Sequence, residues 1–338
     1  MILLISIIVL GLVFDFINGF HDAANSISTI VTTKVLTPLQ AVIWAAFFNF
    51  IAFFISKYIF GEFGIANTVS KTVYEHYITL PIILAGVIGA IIWNLLTWWK
   101  GIPSSSSHTL IGGFAGAAIM ANGFAAIHGA IILKIAAFIF LAPFIGMLIA
   151  FLISLIVLYT CKNVNHTHAE VWFKHLQLVS SALFSIGHGL NDSQKVMGII
   201  AAAMIAAHPL HIGIGIRSIE DIPDWVAFSC FAAISMGTMS GGWKIVKTMG
   251  TKITKVTTFE GVVAETSGAI TLYLTEILKI PVSTTHTIAG AIIGVGATKR
   301  LSAVRWGITK DLMTAWVLTI PVSGLLGAGI YLIISTFI

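Results

Sequence analysis

Residues 18–26 read NGFHDAANS and place a carboxylate, an imidazole and two amides inside an otherwise apolar segment, residues 2–33. Burying an ionisable side chain in hydrocarbon is costly, so such residues usually face a cavity and serve a function there. The same design returns in residues 188–195, which read HGLNDSQK within the apolar segment 176–207. Each half of the chain therefore carries one polar cluster, and the rest of the sequence is interpreted around these two.

Composition indicates a membrane protein. The chain has 338 residues, of which 57% are hydrophobic and only 9% charged, and its mean hydropathy is +0.99. Long apolar runs between short polar loops are typical of an all-α polytopic membrane protein, whereas a β-barrel alternates apolar and polar positions. The first apolar run lacks a basic leader, so we interpret it as a retained membrane helix. Two cysteines provide no disulfide framework, and the net charge of +5 does not suggest a nucleic-acid partner.

The two halves of the chain repeat each other. Asp22 matches Asp192, and residues 103–109, PSSSSHT, match residues 281–287, PVSTTHT. Both of these segments are followed by a pair of glycines with the same spacing. We therefore predict three parts: a first transmembrane repeat over 1–160, a cytoplasmic connecting loop over 161–175, and a second transmembrane repeat over 176–338.

Lysine and arginine are distributed unevenly over the loops. Eleven of them fall into one set: Lys34 and the segments 162–174, 244–255 and 299–310. The positive-inside rule places this set in the cytoplasm and both chain termini outside. The external loops, 57–78 and 208–224, then keep only Lys57, Lys71 and Arg217. This assignment requires residues 79–121 and 258–298 to be helical hairpins, which makes the second repeat inverted relative to the first.

Each hairpin is predicted to turn at its proline, because proline interrupts one helix and suits the first turn of the next. The N–H groups and hydroxyls that follow would form an oxyanion site between the two bends, with the first bend closing the outside and the second the inside. The alternative is that these side chains only join helices. Lys195 either binds the anion or neutralises Asp192. The candidate anion-binding residues are Ser104, Ser105, Ser106, Ser107, Thr109, Ser283, Thr284, Thr285, Thr287, Asn25 and Lys195.

Oxygen-bearing side chains near Gly19 and Gly189 suit a coupling cation. Glycine can unwind a helix, so we predict that the first helix of each repeat is broken there. Carboxylates, amides and hydroxyls are ligands for Na⁺, and the acids could instead carry a proton. The candidate cation-coupling residues are Asp22, Asn25, Asn191, Asp192, Ser193 and Glu265. His21, His108 and His286 are supporting residues; the last two are either proton-linked or hold the bends by hydrogen bonds.

Several stretches resemble a known family. They are residues 19–25 and 189–195 around the two aspartates, the Pro-Ser-His elements 103–108 and 281–286, and residues 242–250 followed by Glu265. Here the chain resembles the inorganic phosphate transporter (PiT) family, in its short prokaryotic form. The resemblance implies cation-coupled symport of inorganic phosphate across the cytoplasmic membrane of a bacterium or archaeon, and no enzymatic activity. It also implies that Asp22, Asp192 and the Ser/Thr-His elements form the site.

Alternative functions differ in the chemistry that they require. A sulfate permease of the same family is the nearest one. Phosphate keeps an O–H donor at neutral pH whereas sulfate only accepts, so buried carboxylates favour phosphate unless Na⁺ takes their charge. An intramembrane phosphate-ester hydrolase belongs to another class, but duplicated, opposed motifs suit alternating access better than hydrolysis. The sequence leaves open the choice of Na⁺ or H⁺, Na⁺ as a resident ion, a homodimer, and an ion channel with passive flux.

Overall fold

The computed structural model describes residues 1–210 and 214–337, and these are almost entirely helical, without a β-strand. Within them the α-helices are α1 (Ile2–Thr32), α2 (Pro38–Ile55), α3 (Gly64–Ser70), α4 (Leu80–Lys100), α5 (Ser106–Asn122), α6 (Gly129–Thr160), α7 (His166–Ala207), α8 (Asp224–Ser240), α9 (Trp243–Lys247), α10 (Thr258–Ile277), α11 (Thr284–Lys299) and α12 (Trp306–Ser335). Among the described residues, five segments are long and apolar enough to cross a membrane: Ile2–Thr32, Pro38–Phe60, Leu80–Lys100, Gly129–Thr160 and Trp306–Ser335. The predicted all-α class is confirmed.

Local sequence explains where the hairpins turn. α4 ends at Gly101, whose φ of 68° is the left-handed conformation that glycine adopts without strain. Ser105 and Ser283 then cap α5 and α11. α4 and α5 form the first predicted hairpin, and α10 and α11 form the second. We call residues 101–109 the first bend and residues 278–287 the second bend.

α1 and α7 run without interruption through Gly19 and Gly189, so the prediction of a broken first helix in each repeat is wrong. Both glycines serve close packing instead. A Cβ on Gly19 would lie 2.2 Å from the carbonyl oxygen of Ile234 in α8, and one on Gly189 would lie 2.6 Å from that of Asn49 in α2. The glycines are therefore needed because neighbouring backbones cross there, as small residues allow in membrane proteins.

The predicted connecting loop, residues 161–175, is only partly a loop. α7 begins at His166 and is 42 residues long. The Asn165 side chain caps it by accepting a hydrogen bond from the Thr167 N–H (2.9 Å). Glu170 and Lys174 form an ion pair one turn apart (3.1 Å) on its exposed beginning. These local interactions extend the helix beyond its apolar segment.

Helices of the two halves interlock in matched pairs. α1 packs against α8 as α7 packs against α2, and α5 packs against α12 as α11 packs against α6. A Cβ on Gly116 would lie 2.1 Å from the carbonyl oxygen of Gly324 in α12, and one on its counterpart Gly294 would lie 2.3 Å from that of Met147 in α6. Each contact thus has a counterpart with the halves exchanged, which is what two repeats related by a two-fold axis require. The opposite orientation of the repeats in a membrane stays a prediction.

The predicted external loops lie together at one end of the molecule. Lys57 forms an ion pair with Asp224 (2.7 Å), which joins the loop 57–78 to the loop 208–224. Residues 211–213 of the latter lie outside the described residues. We call this the outer end, after its predicted orientation.

The predicted cytoplasmic loops meet at a second end. The Arg305 N–H donates to the carbonyl oxygen of Ile253 (3.0 Å), which joins the segment 299–310 to the segment 244–255. The open ends of the second hairpin also lie here, because Lys299 and Glu260 form an ion pair. We call this the inner end.

Each hairpin reaches the end opposite to its opening. Lys244 of α9 donates to the carbonyl oxygen of Trp99 at the tip of the first hairpin (3.0 Å). Lys279 at the tip of the second hairpin pairs with Glu62 of the outer end (2.8 Å). α4 has 21 residues, a length of about 31 Å, and therefore extends past the membrane midplane. In the predicted orientation the first bend faces inside and the second faces outside, the reverse of the gating order expected from sequence.

The orientation can be tested with single cysteines in a Cys161→Ser, Cys230→Ser background. Glu220 and Lys252 are both exposed and lie in the predicted external loop 208–224 and cytoplasmic loop 244–255. We expect an impermeant thiol reagent to label Glu220→Cys in intact cells and Lys252→Cys only after permeabilisation, because basic loops stay in the cytoplasm. The opposite result would reverse the orientation, and labelling of both from outside would contradict a two-ended molecule.

Candidate functional site

The two polar clusters predicted from sequence meet at one buried point between the bends. Asp22 and Asp192 are 2% and 0% exposed. One ligand atom from each aspartate and a ring nitrogen of His188 all lie within 4.8 Å of one another. The fold thus brings the signature acids of both halves together.

Asp22 contacts both bends. Its Oδ1 lies 2.8 Å from Nδ1 of His21, and the hydroxyls of Ser106 (3.4 Å) and Thr285 (3.5 Å) donate to the same oxygen. The two hydroxyl contacts are near the upper limit for a hydrogen bond and are correspondingly weak. Ser106 and Thr285 are therefore positioned at the site without being strongly engaged.

Lys195 joins Asp192 to both bends. Its Nζ donates to Oδ1 of Asp192 (2.6 Å), to the hydroxyl of Ser107 in the first bend (2.6 Å) and to the carbonyl oxygen of Val282 in the second (2.5 Å). A buried ammonium group is tolerated only when its donors are satisfied and its charge is paired. Of the two roles considered from sequence, the structure shows the neutralisation of Asp192.

Asn25, which occupies the position of Lys195 in the first repeat, binds the second bend. Its Nδ2 donates to the hydroxyls of Thr285 (2.9 Å) and Thr284 (3.3 Å). Thr284 in turn donates to Oδ2 of Asp192 (3.4 Å). Matched positions of α1 and α7 thus both hydrogen-bond to the second bend.

Several predicted cation ligands retain unused oxygen atoms. Among the described residues, Oδ1 of Asn25, both side-chain polar atoms of Asn191 and Oγ of Ser193 are buried without a hydrogen-bond partner. Buried polar atoms are rarely left unpaired unless a ligand, ion or water uses them. These atoms are consistent with the oxygen ligands of a cation, although their joint coordination of one ion stays a prediction.

His188 is a site residue that the sequence reasoning missed. Its Nε2 lies 3.3 Å from Oδ2 of Asp192, and its Nδ1 lies 3.1 Å from Oδ1 of Asn49, which is itself buried. Asn49 thereby fixes the orientation of the ring toward the aspartate. The signal was available, because His188 stands one helical turn before Asp192 on the same helix face.

Four of the predicted anion-binding hydroxyls make hydrogen bonds with the backbone. Ser105 and Ser283 each accept from the N–H group three residues later (3.2 Å each), as helix caps do. Thr109 and Thr287 each donate to the carbonyl oxygen four residues earlier (2.8 and 2.9 Å). The capping serines keep an O–H hydrogen for a ligand, whereas the threonines have used theirs.

Ser104 and His21 connect the first bend to α1 through one hydroxyl. Oγ1 of Thr97 lies 3.1 Å from Nε2 of His21 and accepts a hydrogen bond from Ser104 (3.0 Å). Because the other ring nitrogen of His21 contacts Asp22, this imidazole positions the carboxylate relative to the first bend. Ser104 is thus part of the support of the site.

The rings of His108 and His286 pack against each other. Their centroids are 5.0 Å apart, and His286 also stacks on Trp316 at 4.2 Å. Neither ring hydrogen-bonds to the bends among the described residues. The expectation that these rings hold the bends by hydrogen bonds is therefore wrong, because they lie in an apolar contact between the two hairpins.

Glu265 lies in a polar group of its own. It accepts hydrogen bonds from Thr29 (2.6 Å), Ser180 (2.5 Å) and Gln177 (3.1 Å), and it is fully buried. A Cβ on Gly261 would lie 2.2 Å from Nε2 of Gln177, so this glycine leaves room for the amide. All three donors are neutral, and the structure does not bring Glu265 into the group that contains Asp22 and Asp192.

Comparison with known proteins agrees with this geometry. A sequence model described as the phosphate transporter family matches residues 18–169 and again residues 159–327. The chain belongs to the phosphate transporter family. Each of the two matches contains one of the signature aspartates, and together they cover most of the chain.

Relatives and one solved structure of this family match along nearly their whole length. The chain is 49% identical to a probable low-affinity inorganic phosphate transporter of Rhizobium meliloti, over 97% of this chain and 96% of the relative. It is 44% identical to one of Bacillus subtilis, over 99% and 98%. A solved structure of a protein named the sodium-dependent phosphate transporter superposes with a TM-score of 0.87 at 25% identity and covers all of both chains. The resemblance to this family is confirmed, and the chain is a membrane transporter protein rather than an enzyme.

The capping role of Ser105 and Ser283 gives a stability prediction. We expect Ser105→Ala and Ser283→Ala each to lower the free energy of unfolding by about 1 kcal/mol, because a helix N–H loses its acceptor. Asparagine at either position should retain most of the stability. Thermal unfolding of the purified protein measures the effect, with Ser302→Ala at an exposed serine as the matched control. Equal losses for alanine and asparagine would contradict capping.

Proposed function

We propose that this protein carries inorganic phosphate into a prokaryotic cell across the cytoplasmic membrane, by symport with a cation and alternating access. The observation that carries this proposal is that Asp22 and Asp192, one from each repeat, meet both hydroxyl-bearing bends at one buried point. A site built from two inverted repeats can open to either side when one bend moves. In this proposal both termini lie outside.

Phosphate would lie between the two bends. Ser106, Ser107, Thr284 and Thr285 present hydroxyls there, with Ser104, Ser105, Ser283 and Asn25 beside them. The hydrogen bonds of Ser106, Thr284 and Thr285 to the aspartates are long, at 3.4–3.5 Å, and therefore weak. A phosphate dianion accepts hydrogen bonds strongly, so these hydroxyls can turn to it at little cost. The Lys195 ammonium group, which already bonds Ser107, would attract the same ligand.

Charge balance requires a coupling cation. Asp22 and Asp192 bring two negative charges and Lys195 brings one positive charge, all of them buried. Phosphate adds further negative charge, which an apolar interior does not tolerate without compensation. The unpaired oxygens of Asn25, Asn191 and Ser193 suit Na⁺, and the sodium dependence named for the structural relative favours Na⁺ over H⁺.

Glu265 is proposed as a second coupling position. Its carboxyl group is surrounded by hydroxyl and amide groups, with no basic side chain among its hydrogen-bond partners in the described part of the chain. A buried acid in this setting holds either a cation or a proton. Either ion at Glu265 would link its binding to the packing of α10 against α7.

Phosphate is favoured over sulfate, the alternative substrate within the family. Both aspartates lie within the group of side chains that would face the anion. Phosphate can donate its O–H to a carboxylate, whereas fully ionised sulfate would be repelled by it.

Removal of either central carboxylate tests the proposal. We expect Asp22→Asn and Asp192→Asn to abolish phosphate accumulation, because each removes the charge that binds the cation. Phosphate uptake into proteoliposomes under separately imposed Na⁺ and pH gradients is the measurement, and Asp311→Asn, at an exposed acid of α12, is the control. Normal accumulation by both site variants would refute the assignment.

Glu265 should affect the cation rather than the anion. We expect Glu265→Gln to raise the cation concentration required for half-maximal uptake at least tenfold, because a charged ligand becomes neutral. Phosphate exchange between equal concentrations on both sides should continue. Glu265→Asp, which keeps the charge on a shorter side chain, should lie between wild type and Glu265→Gln. If Glu265→Gln slows phosphate exchange and uptake alike but leaves the cation concentration for half-maximal uptake unchanged, the residue is structural.

A further inference from the structure

Two neighbouring cavities lie at the outer end, apart from the site described above. The outer cavity has a volume of about 320 Å³ and is lined in part by Arg217, His128, Glu75 and Glu220. The inner cavity has a volume of about 270 Å³ and contains Lys134 and Pro281 in its wall. The two cavities share three lining residues, Asn67, Lys71 and Ile131. The two cavities therefore adjoin each other along these residues, and we call them together the recess, which lies between the outer end and the second bend.

Positive charge increases along this recess. The outer cavity has Lys71 and Arg217 opposed by Glu75 and Glu220. The inner cavity has Lys71 and Lys134 in its wall and, among the described residues, no acid. Among the described residues, Lys71, Lys134 and Arg217 form no ion pair with a carboxylate within 4.0 Å.

Other lysines of the outer end differ in this respect. Lys57 pairs with Asp224 (2.7 Å) and Lys279 pairs with Glu62 (2.8 Å). Neither of these lysines lines the two cavities. Among residues 1–210 and 214–337, the lysine and arginine side chains of the outer end that form no ion pair therefore line the recess.

The inner cavity ends against the second bend. Pro281 forms part of its wall, and the carbonyl oxygen of the next residue, Val282, accepts the hydrogen bond from Lys195 (2.5 Å). Lys195 itself is only 2% exposed. The second bend is therefore the partition between the recess and the central site.

We propose that this recess is the entrance for phosphate, with Lys71 and Lys134 as a first anion-binding position outside the closed second bend. The inference rests on the proposed function and adds a binding position and an entry side to it. A concave surface with like charges focuses the electrostatic potential and raises the local concentration of an oppositely charged ligand. The buried Asn67 Oδ1, which has no partner among the described residues, suits the O–H group of phosphate.

The test compares lysines that line the recess with lysines that do not. Lys71→Gln and Lys134→Gln should each raise the KM for phosphate roughly three- to tenfold with an unchanged maximal rate, because they weaken capture and leave the central site intact. Uptake is measured in cells that lack other phosphate transporters. Lys57→Gln and Lys310→Gln, at lysines that line neither cavity, are the controls and should keep the KM of wild type. Lys71→Arg should restore it.

A second measurement does not depend on transport. Ile131 lines both cavities, so Ile131→Cys in the cysteine-free background should react with an impermeant thiol reagent, and phosphate should slow this reaction. Adding Lys71→Gln should remove most of that protection. Unchanged KM in both lysine variants together with no protection of Ile131→Cys would overturn the proposal. Failure of wild type to take up phosphate at all would instead refute the proposed function.

The phosphate group that the lysines bind could also belong to a lipid headgroup. Proteoliposomes made of phosphatidylcholine alone and with phosphatidylglycerol added separate these sources. If the recess binds free phosphate, Lys71→Gln and Lys134→Gln raise the KM equally in both kinds of vesicle. A rise in KM that appears only with phosphatidylglycerol would show that the recess binds a lipid headgroup, and it would overturn the proposal that the recess is the entrance for phosphate.

Discussion

The contacts of one buried ammonium group, Nζ of Lys195, hold the centre of this transporter together. It has three N–H donors, and it meets one partner in α7 and one in each bend. A charge in an apolar interior is stable only while it stays paired and hydrogen-bonded. Movement of either bend leaves one donor unpaired until water or an anion replaces the lost partner. In the proposed transport cycle, phosphate takes over the contact that a moving bend gives up, because its oxygens accept hydrogen bonds strongly.

Features that depend on local sequence were predictable, and those that depend on a distant backbone were not. The hairpins follow from proline and from serine at a cap position, both of which act within one helical turn. Gly19 was interpreted as a helix breaker because glycine serves both for unwinding and for close packing. Only the position of the Ile234 carbonyl oxygen, far away in the chain, decides between the two. Polar composition predicts a loop for the first turns of α7, whereas the Asn165 cap lets the helix begin at His166.

The same distinction applies to the site. The duplicated motifs identified Asp22 and Asp192, because repetition of a costly buried acid is itself informative. Sequence could not tell which hydroxyls face the aspartates and which serve the helix, since Ser105 and Ser106 are neighbours with different roles. His188 was overlooked because its counterpart in the first repeat is an asparagine, Asn18, and the comparison of repeats directs attention to what both halves share.

The differences between the repeats are as informative as their similarity. The proposed alternating access needs two end states of comparable free energy, and a symmetric exchange of contacts between the repeats would supply them. Some ionisable residues, however, occur in one half only: Lys195 stands where the first half has Asn25, Glu265 stands where it has Val87, and His21 stands where the second half has Asn191. Lys195 contacts both bends, whereas the side-chain hydrogen bonds of Asn25 reach only the second. Opening either bend therefore breaks contacts with both α1 and α7, and opening the second bend also breaks the hydrogen bonds that Asn25 donates to it. This asymmetry makes the second bend the more firmly held of the two in the closed arrangement.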